Sequence, residues 1–411
     1  MLSTVRLVDN KPSEWLAHRF FVLGQYDMCV NIVNQILRKS PDNAEALNLK
    51  GCVLRTKGHI EEALNCFQTA AQFDTKNIRH SLEIAKCLFF LGRFQSSISI
   101  LEEIQNSDDG NIWEVYHLSG QNYAKLKKFD DAIDQFQNAL DTDFRIETVL
   151  ELMNVYESKK EFDDLESLIQ EALAHHPTNT VLHKRIGKYY LAKKDYEGAL
   201  NQFEASYTRD STDFQSMLLA GSIEQDQQHQ QKSIDLYRKS FKGLMNSPAL
   251  WNNVSMVINT KSRIEASIAC CKKATFCAPF EAIPLANLGL NYLELKLFCS
   301  AAVALKRANS LDPSIESITE GLAIALMNIG EYMAAGKLFS KEIVKNKSHR
   351  LIINAAICFL RANKPKLAKN LFTAFSAMIE KEPALESLYP YQDVLVPMFS
   401  KVVGDSSPQS E

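Results

Sequence analysis

Small and large apolar residues recur along this chain about every 34 residues, and within each period they follow the spacing of two helices, not of strands. Counted from the start of each first helix, the eighth position is small in almost every repeat, as at Ala17, Gly51, Gly120, Gly187, Gly221 and Gly289, and so is the twentieth, as at Cys29, Ala63, Ala132, Ala199 and Ala301. Large apolar residues stand at the eleventh position (Phe20, Tyr123, Tyr190, Tyr292) and the twenty-fourth (Val33, Phe67, Phe136, Phe203, Phe339). Two antiparallel helices can approach closely only where neither side chain obstructs the contact, and burial of the large neighbours rewards the approach. Pro41, Pro177, Pro279 and Pro313 stand where second helices must end, and Gly24, Gly58, Gly92 and Gly330 sit between paired helices. No single pair can bury its own apolar face, so neighbours must stack. The pattern predicts an all-α right-handed superhelix of about eleven helix-turn-helix units with a concave surface.

The words Leu285-Ala286-Asn287-Leu288-Gly289, Tyr292, Phe298, Ala301, Ala308 and Pro313 resemble the tetratricopeptide repeat, as do Gly187, Tyr190, Tyr196, Ala199 and Phe203. Residues 1–380 are read as the superhelix and 381–403, with Leu385, Leu388, Leu395 and Phe399, as C-terminal capping helices that keep the last apolar face from water. The polar residues 404–411 are read as a disordered tail. Two units depart from the rule. In the fifth, Met153 and Leu165 occupy both small positions, which predicts a helix pair spread apart and a change of pitch over residues 146–178, or else simple repacking. In the seventh, Glu224 stands at an apolar position, and the polar run from Glu224 to Gln231 predicts a loop projecting into solvent.

A net charge of -3 and a pI near 6.3 argue against general affinity for nucleic acid. The nine cysteines, odd in number and mostly at small or apolar repeat positions, read as reduced core thiols of a cytosolic protein. The start lacks a signal-peptide pattern and no long apolar run occurs, so a soluble protein with only indirect membrane contact is expected. No phosphate loop, His-Glu-x-x-His, Gly-x-Ser-x-Gly or paired CxxC is present, and the repeats leave no stretch for a catalytic fold; no enzyme activity, cofactor or metal is expected. Cys270, Cys271 and Cys277, with His229, are the best metal candidates, but Cys271 falls at a core position while Cys270 points elsewhere on the helix. His175, His176 and His183 read as surface histidines around Pro177.

Binding is the expected output, because the second, fifth, sixth and ninth positions of each first helix face the groove. Asn253, Asn287 and Asn354 at the sixth position form a partial asparagine ladder that could hold the backbone of an extended ligand, although hydrogen bonding inside the repeat is the competing reading. Asn252 lies beside it, and Lys184, Arg185 and Lys188 make a basic spot suited to an acidic peptide or lipid headgroup, or simply a solvated face. A chaperone-type carboxylate clamp is not matched, since Leu219 stands where a polar group is required.

More particular words recur as well: Leu219-Ala220-Gly221-Ser222, Leu250-Trp251-Asn252-Asn253, Ala278-Pro279-Phe280, Asn287-Leu288-Gly289-Leu290 and Leu88-Phe89-Phe90-Leu91-Gly92-Arg93. Over most of the chain this resembles the Bardet-Biedl syndrome 4 family. The resemblance implies a non-catalytic scaffold subunit of the BBSome, a coat-like complex trafficking membrane proteins to and from cilia, located in the cytoplasm, cilium, basal body and centriolar satellites. Its implied partners are β-propeller subunits, a second tetratricopeptide subunit, a small helical subunit and centriolar satellite proteins. The alternative is a scaffold subunit of the anaphase-promoting complex, and the regulatory arm of a glycosyltransferase would need a catalytic domain further along.

Overall fold

The computed structural model describes residues 13–107, 110–259, 263–382, 389 and 394–403, and among these the regular structure is helical throughout. The chain divides into two compact units, Met1–Ile186 and Gly187–Glu411. In the first, helix pairs follow one another as α1 (Glu14–Val22) with α2 (Tyr26–Lys39), α3 (Ala44–Thr56) with α4 (Ile60–Phe73), α5 (Ile78–Phe90) with α6 (Phe94–Gln105), α7 (Trp113–Lys125) with α8 (Phe129–Thr142), and α9 (Ile146–Lys159) with α10 (Phe162–His175). Helix α11 (Thr180–Ala192) spans the division. The second unit continues with α12 (Tyr196–Arg209), α13 (Phe214–Asp226), α14 (Gln230–Leu244), α15 (Pro248–Ile258), α16 (Ile264–Cys277), α17 (Ala282–Glu294), α18 (Phe298–Leu311), α19 (Glu316–Ile329), α20 (Tyr332–Lys345), α21 (His349–Arg361), α22 (Pro365–Lys381) and α23 (Val396–Val403).

The helices begin and end for local reasons. The Asn43 side chain accepts from the Ala46 N–H at 2.8 Å, and the Ser13, Asp195, Asp213 and Ser247 side chains satisfy other first-turn donors in the same way. The chain reverses between paired helices through a left-handed residue, which is glycine at Gly24, Gly58, Gly92 and Gly330. Lys127, Lys160, Lys194, Gln228, Lys296 and Asn363 fill the same slot in other units with φ between 57° and 66°.

The eighth-position glycines have a specific partner. A Cβ on Gly51 would lie 2.7 Å from the Phe67 ring, and one on Gly120 2.6 Å from Phe136; Gly187 meets Phe203, and Gly221 meets Tyr237, at the same 2.6 Å. The glycine thus makes room for the twenty-fourth-position ring of its own unit, which is fully buried. In the units with Val33 and Leu101 the eighth position carries a methyl group (Ala17, Ala85), whereas Gly289 makes room for Leu305, which its Cβ would approach to 2.5 Å.

Met153 and Leu165 of the fifth pair are both completely buried. The backbones of α9 and α10 run close together over a shorter stretch than those of α7 and α8, because two long side chains now separate them. The local spreading expected from the sequence is therefore present.

Two sequence-based expectations are corrected. The run from Glu224 to Gln231 is no projecting loop: α13 continues to Asp226, three residues turn the chain with Gln228 at φ 64°, and α14 begins at Gln230. Glu224 is held against the fold by His229 Nδ1 at 2.6 Å, so its carboxylate stays mostly buried at an otherwise apolar position. The histidines around Pro177 are likewise not all at the surface. His183 is buried with Nε2 3.0 Å from the Pro177 carbonyl, His176 Nε2 lies 3.0 Å from the Phe144 carbonyl, and exposed His175 stacks on the Phe144 ring.

At the end of the second unit, the Phe399 ring stacks on Phe372 with centroids 4.1 Å apart and is fully buried, while Tyr389 meets Phe375 edge-on. Helix α23 thereby covers α22. Leu385, Leu388 and the tail 404–411 lie outside the described residues.

Candidate docking surface

Polar positions on the first helices are joined across neighbouring repeats. In the first unit, His18 lies 2.8 Å from Glu45, Arg55 2.7 Å from Glu83, and Lys86 2.7 Å from both Glu83 and Glu114. Asn48 meets the buried His80 ring at 2.9 Å, and the Trp113 Nε1–H donates to Thr148 Oγ1 at 2.8 Å. The His117 ring stacks on Trp113, and burial there holds its pKa below the ordinary histidine value despite the carboxylates of Glu151, Glu147 and Glu114 nearby. Outside this row, Lys159 is clamped by Asp130 and Glu161 at 2.5 and 2.6 Å, and those hydrogen bonds raise its pKa. Such rungs fix the register of one hairpin on the next, and they also consume the donors and acceptors of this face.

The predicted basic spot is divided by this logic. The Arg185 guanidinium reaches back to Glu157 at 2.7 Å and Asn154 at 2.8 Å, so it is a rung of the first unit. Lys184 is half-buried and Lys188 exposed.

The predicted asparagines behave in the same way. Asn287 Nδ2–H donates to Asn252 Oδ1 at 2.8 Å across adjacent repeats, with Asn252 itself buried. The hydrogen bonding expected inside a repeat therefore runs between repeats. Asn253 is half-buried, and its Oδ1 accepts from Asn252 Nδ2 at 3.5 Å. Asn354 is half-buried and makes no side-chain hydrogen bond among the described residues.

Further polar groups are buried between pairs. The Ser267 hydroxyl donates to the Ser255 carbonyl at 2.9 Å and accepts from Asn291 at 2.8 Å; Ser97 does the same with Ala85 and Asn122 at 2.9 and 3.1 Å. Cys271 Sγ–H donates to Ser255 Oγ at 3.2 Å, which accounts for that thiol inside the core, and no cluster of metal-ligating side chains occurs among the described residues.

Sequence reasoning missed the rungs because their partners lie roughly one repeat apart; a search for opposite charges at about 28 to 31 residues would have found Arg55 with Glu83 and Lys86 with Glu114. It also missed a recess of about 490 Å³ in the first unit lined by Phe89, Gln121, Lys125, Glu151, Asn154 and Val155. With apolar walls and a mixed polar rim, this recess can seat one side chain of a bound segment.

The tetratricopeptide repeat family profile matches residues 44–77 and 114–145. A Bos taurus protein described as BBSome complex member BBS4 is 28% identical over 349 residues, covering 84% of this chain and 67% of that protein. The Caenorhabditis elegans BBSome complex member bbs-4 is 25% identical over 89% of this chain and 81% of its own length. Human anaphase-promoting complex subunit 7 is 21% identical, over 51% of this chain and 37% of that protein. No helix among the described residues is long and apolar enough to cross a membrane. The chain is a tetratricopeptide-repeat protein that, over most of its length, is similar to the BBS4 members of the BBSome complex.

Proposed function

We propose that this chain is a non-catalytic scaffold subunit of a BBSome-type coat complex, acting in the trafficking of membrane proteins to and from cilia, with cytoplasmic, basal-body and centriolar-satellite locations. The observation that carries this reading is similarity at 28% identity over 84% of the chain to a BBSome member. The anaphase-promoting reading is not favoured, because its match spans about half the chain at lower identity.

The structure supports a docking role in a specific way. The first-helix face is rigidified by inter-repeat rungs, so a partner meets a preformed surface and binding spends little on ordering it. Of the predicted contact set, Arg185, Asn252 and Asn287 serve the scaffold, Lys188 is exposed to a partner, and Asn354, Asn253 and Lys184 are half-buried. The proposed neighbours are β-propeller subunits, a second tetratricopeptide subunit and a small helical subunit.

Affinity purification of the tagged chain from its native cell tests this. Stoichiometric recovery of BBSome subunits is expected. Recovery of cullin and RING subunits of the anaphase-promoting complex in their place would overturn the assignment.

A further inference from the structure

The second helices carry a feature that the near-zero net charge conceals. In the first unit, α8 and α10 bear carboxylates and neither Lys nor Arg, whereas in the second unit α18 bears Lys306 and Arg307 and no carboxylate. Between α16 and α18 lies a cleft of about 700 Å³ lined by Lys272, Phe276, Leu288, Tyr292, Val303 and Arg307. Its floor is the apolar side of α17, and its rim carries two large apolar side chains in water: Phe276 is 78% and Val303 73% exposed. Solvent exposure of this kind around a recess marks a contact surface.

The two cations lining that rim, Lys272 and Arg307, and their chain neighbours Lys273 and Lys306 have no partner of opposite charge among the described residues, in contrast to Arg55, Lys86 and Arg185 on the first-helix face. Three of the four are nonetheless held in place: Arg307 donates to the Pro279 carbonyl at 2.9 Å, Lys273 Nζ lies 5.1 Å from the Phe276 ring centroid, and Lys272 Nζ 6.0 Å from that of Tyr292. An apolar slot framed by fixed, unpaired positive charge is complementary to an apolar stripe flanked by carboxylates. The walls are helices whose main-chain groups are already bonded, so an extended strand would find no backbone edge to pair with; a ligand helix satisfies its own backbone and presents only side chains.

We propose that the cleft between α16 and α18 is a docking site for an acidic amphipathic helix of a partner protein, its apolar stripe seated between Phe276 and Val303 and its carboxylates on Lys272 and Arg307. This rests on the scaffold reading of the chain and adds the chemistry of one partner; it does not depend on which complex the chain joins.

Fluorescence anisotropy with the full-length chain tests it, using a synthetic amphipathic helix of about five turns with a Leu/Phe stripe and Glu flanks, and a control with Lys replacing Glu. The acidic peptide is expected to bind and the basic one not, and binding should slow maleimide labelling of Cys299, an exposed thiol on the cleft wall. Phe276→Ser with Val303→Ser, both surface changes, should weaken binding about tenfold or more. Lys272→Glu with Arg307→Glu should reverse the peptide preference while circular dichroism stays that of the parent. Equal binding of both peptides, an unprotected Cys299, or no effect of either double variant would overturn the proposal. So would phosphatidylserine vesicles that bind through the same four residues while the acidic peptide does not, since the face would then be a lipid contact. Failure here with intact co-purification of BBSome subunits removes the cleft alone; peptide binding without those subunits removes the assembly reading alone.

Discussion

Gly120 shows how a single missing carbon supports a hairpin. An alanine there gains about 1 kcal/mol of helix propensity, yet its Cβ would fall 2.6 Å from the Phe136 ring, which is fully buried and has nowhere to retreat. Gly120→Ala is expected to destabilise the chain by about 1–3 kcal/mol, read from the urea midpoint. The opposite holds at Lys127, an exposed residue at φ 60°. Left-handed backbone costs a side-chain-bearing residue about 1–2 kcal/mol and glycine almost nothing, with part of the gain returned as unfolded-chain entropy; Lys127→Gly should stabilise by up to about 1 kcal/mol. His117 supplies a pH dependence. Its folded pKa lies below the unfolded value of 6.5, so its contribution is fully present above pH 6.5 and is lost as pH falls through the folded value. Thermal melts between pH 7.5 and 5.5 should show a smaller loss of Tm in His117→Gln than in the parent. The eighth-position glycines were legible in the sequence as a small-residue rule, but their aromatic partners were not, since small and large positions were read as separate rows.

At the scale of the helix, the hairpin is set by local chemistry and the join between hairpins by chemistry at a distance. Caps such as Asn43 and the left-handed turn residues lie within a few positions of the bonds they make, so element boundaries follow from reading along the chain. The seventh turn was misread because polarity alone suggested a loop; the tie between Glu224 and His229 absorbs a charge at a core-facing position and lets the ordinary three-residue turn form. Helix α23 supplies the last join. Removing the buried Phe399 ring with Phe399→Ala should cost about 3–5 kcal/mol in the packing of α23 on α22. Hydrogen exchange should then quicken in α22 while α3 and α4 keep their protection; equal loss throughout the chain would contradict the placement.

For the molecule as a whole, thiol chemistry reads out the fold. All nine cysteines are free, and burial pushes Cys52, Cys87 and Cys358 up to about 11. Such thiols remain protonated and sheltered at neutral pH, whereas Cys299 is exposed. Brief maleimide treatment of the native chain should label Cys299 first, while the buried Cys29, Cys87, Cys271 and Cys358 react only after denaturant; early labelling of Cys87 or Cys358 by mass spectrometry would refute the burial described. The sequence by itself determined the repeat, the helical pairs and most of their turns, because each depends on residues a few positions apart or on a period that counting reveals, while it left the fifth pair open between spreading and repacking. Tertiary structure decided that Arg185, Asn252 and Asn287 brace the scaffold, and that unpaired Lys272 and Arg307 frame the slot beside Phe276 and Val303. The physical reason is that pairing of a polar or charged group is a property of neighbouring hairpins. Two side chains on different repeats share no local signal, and only packing shows which donors are already satisfied and which still face water.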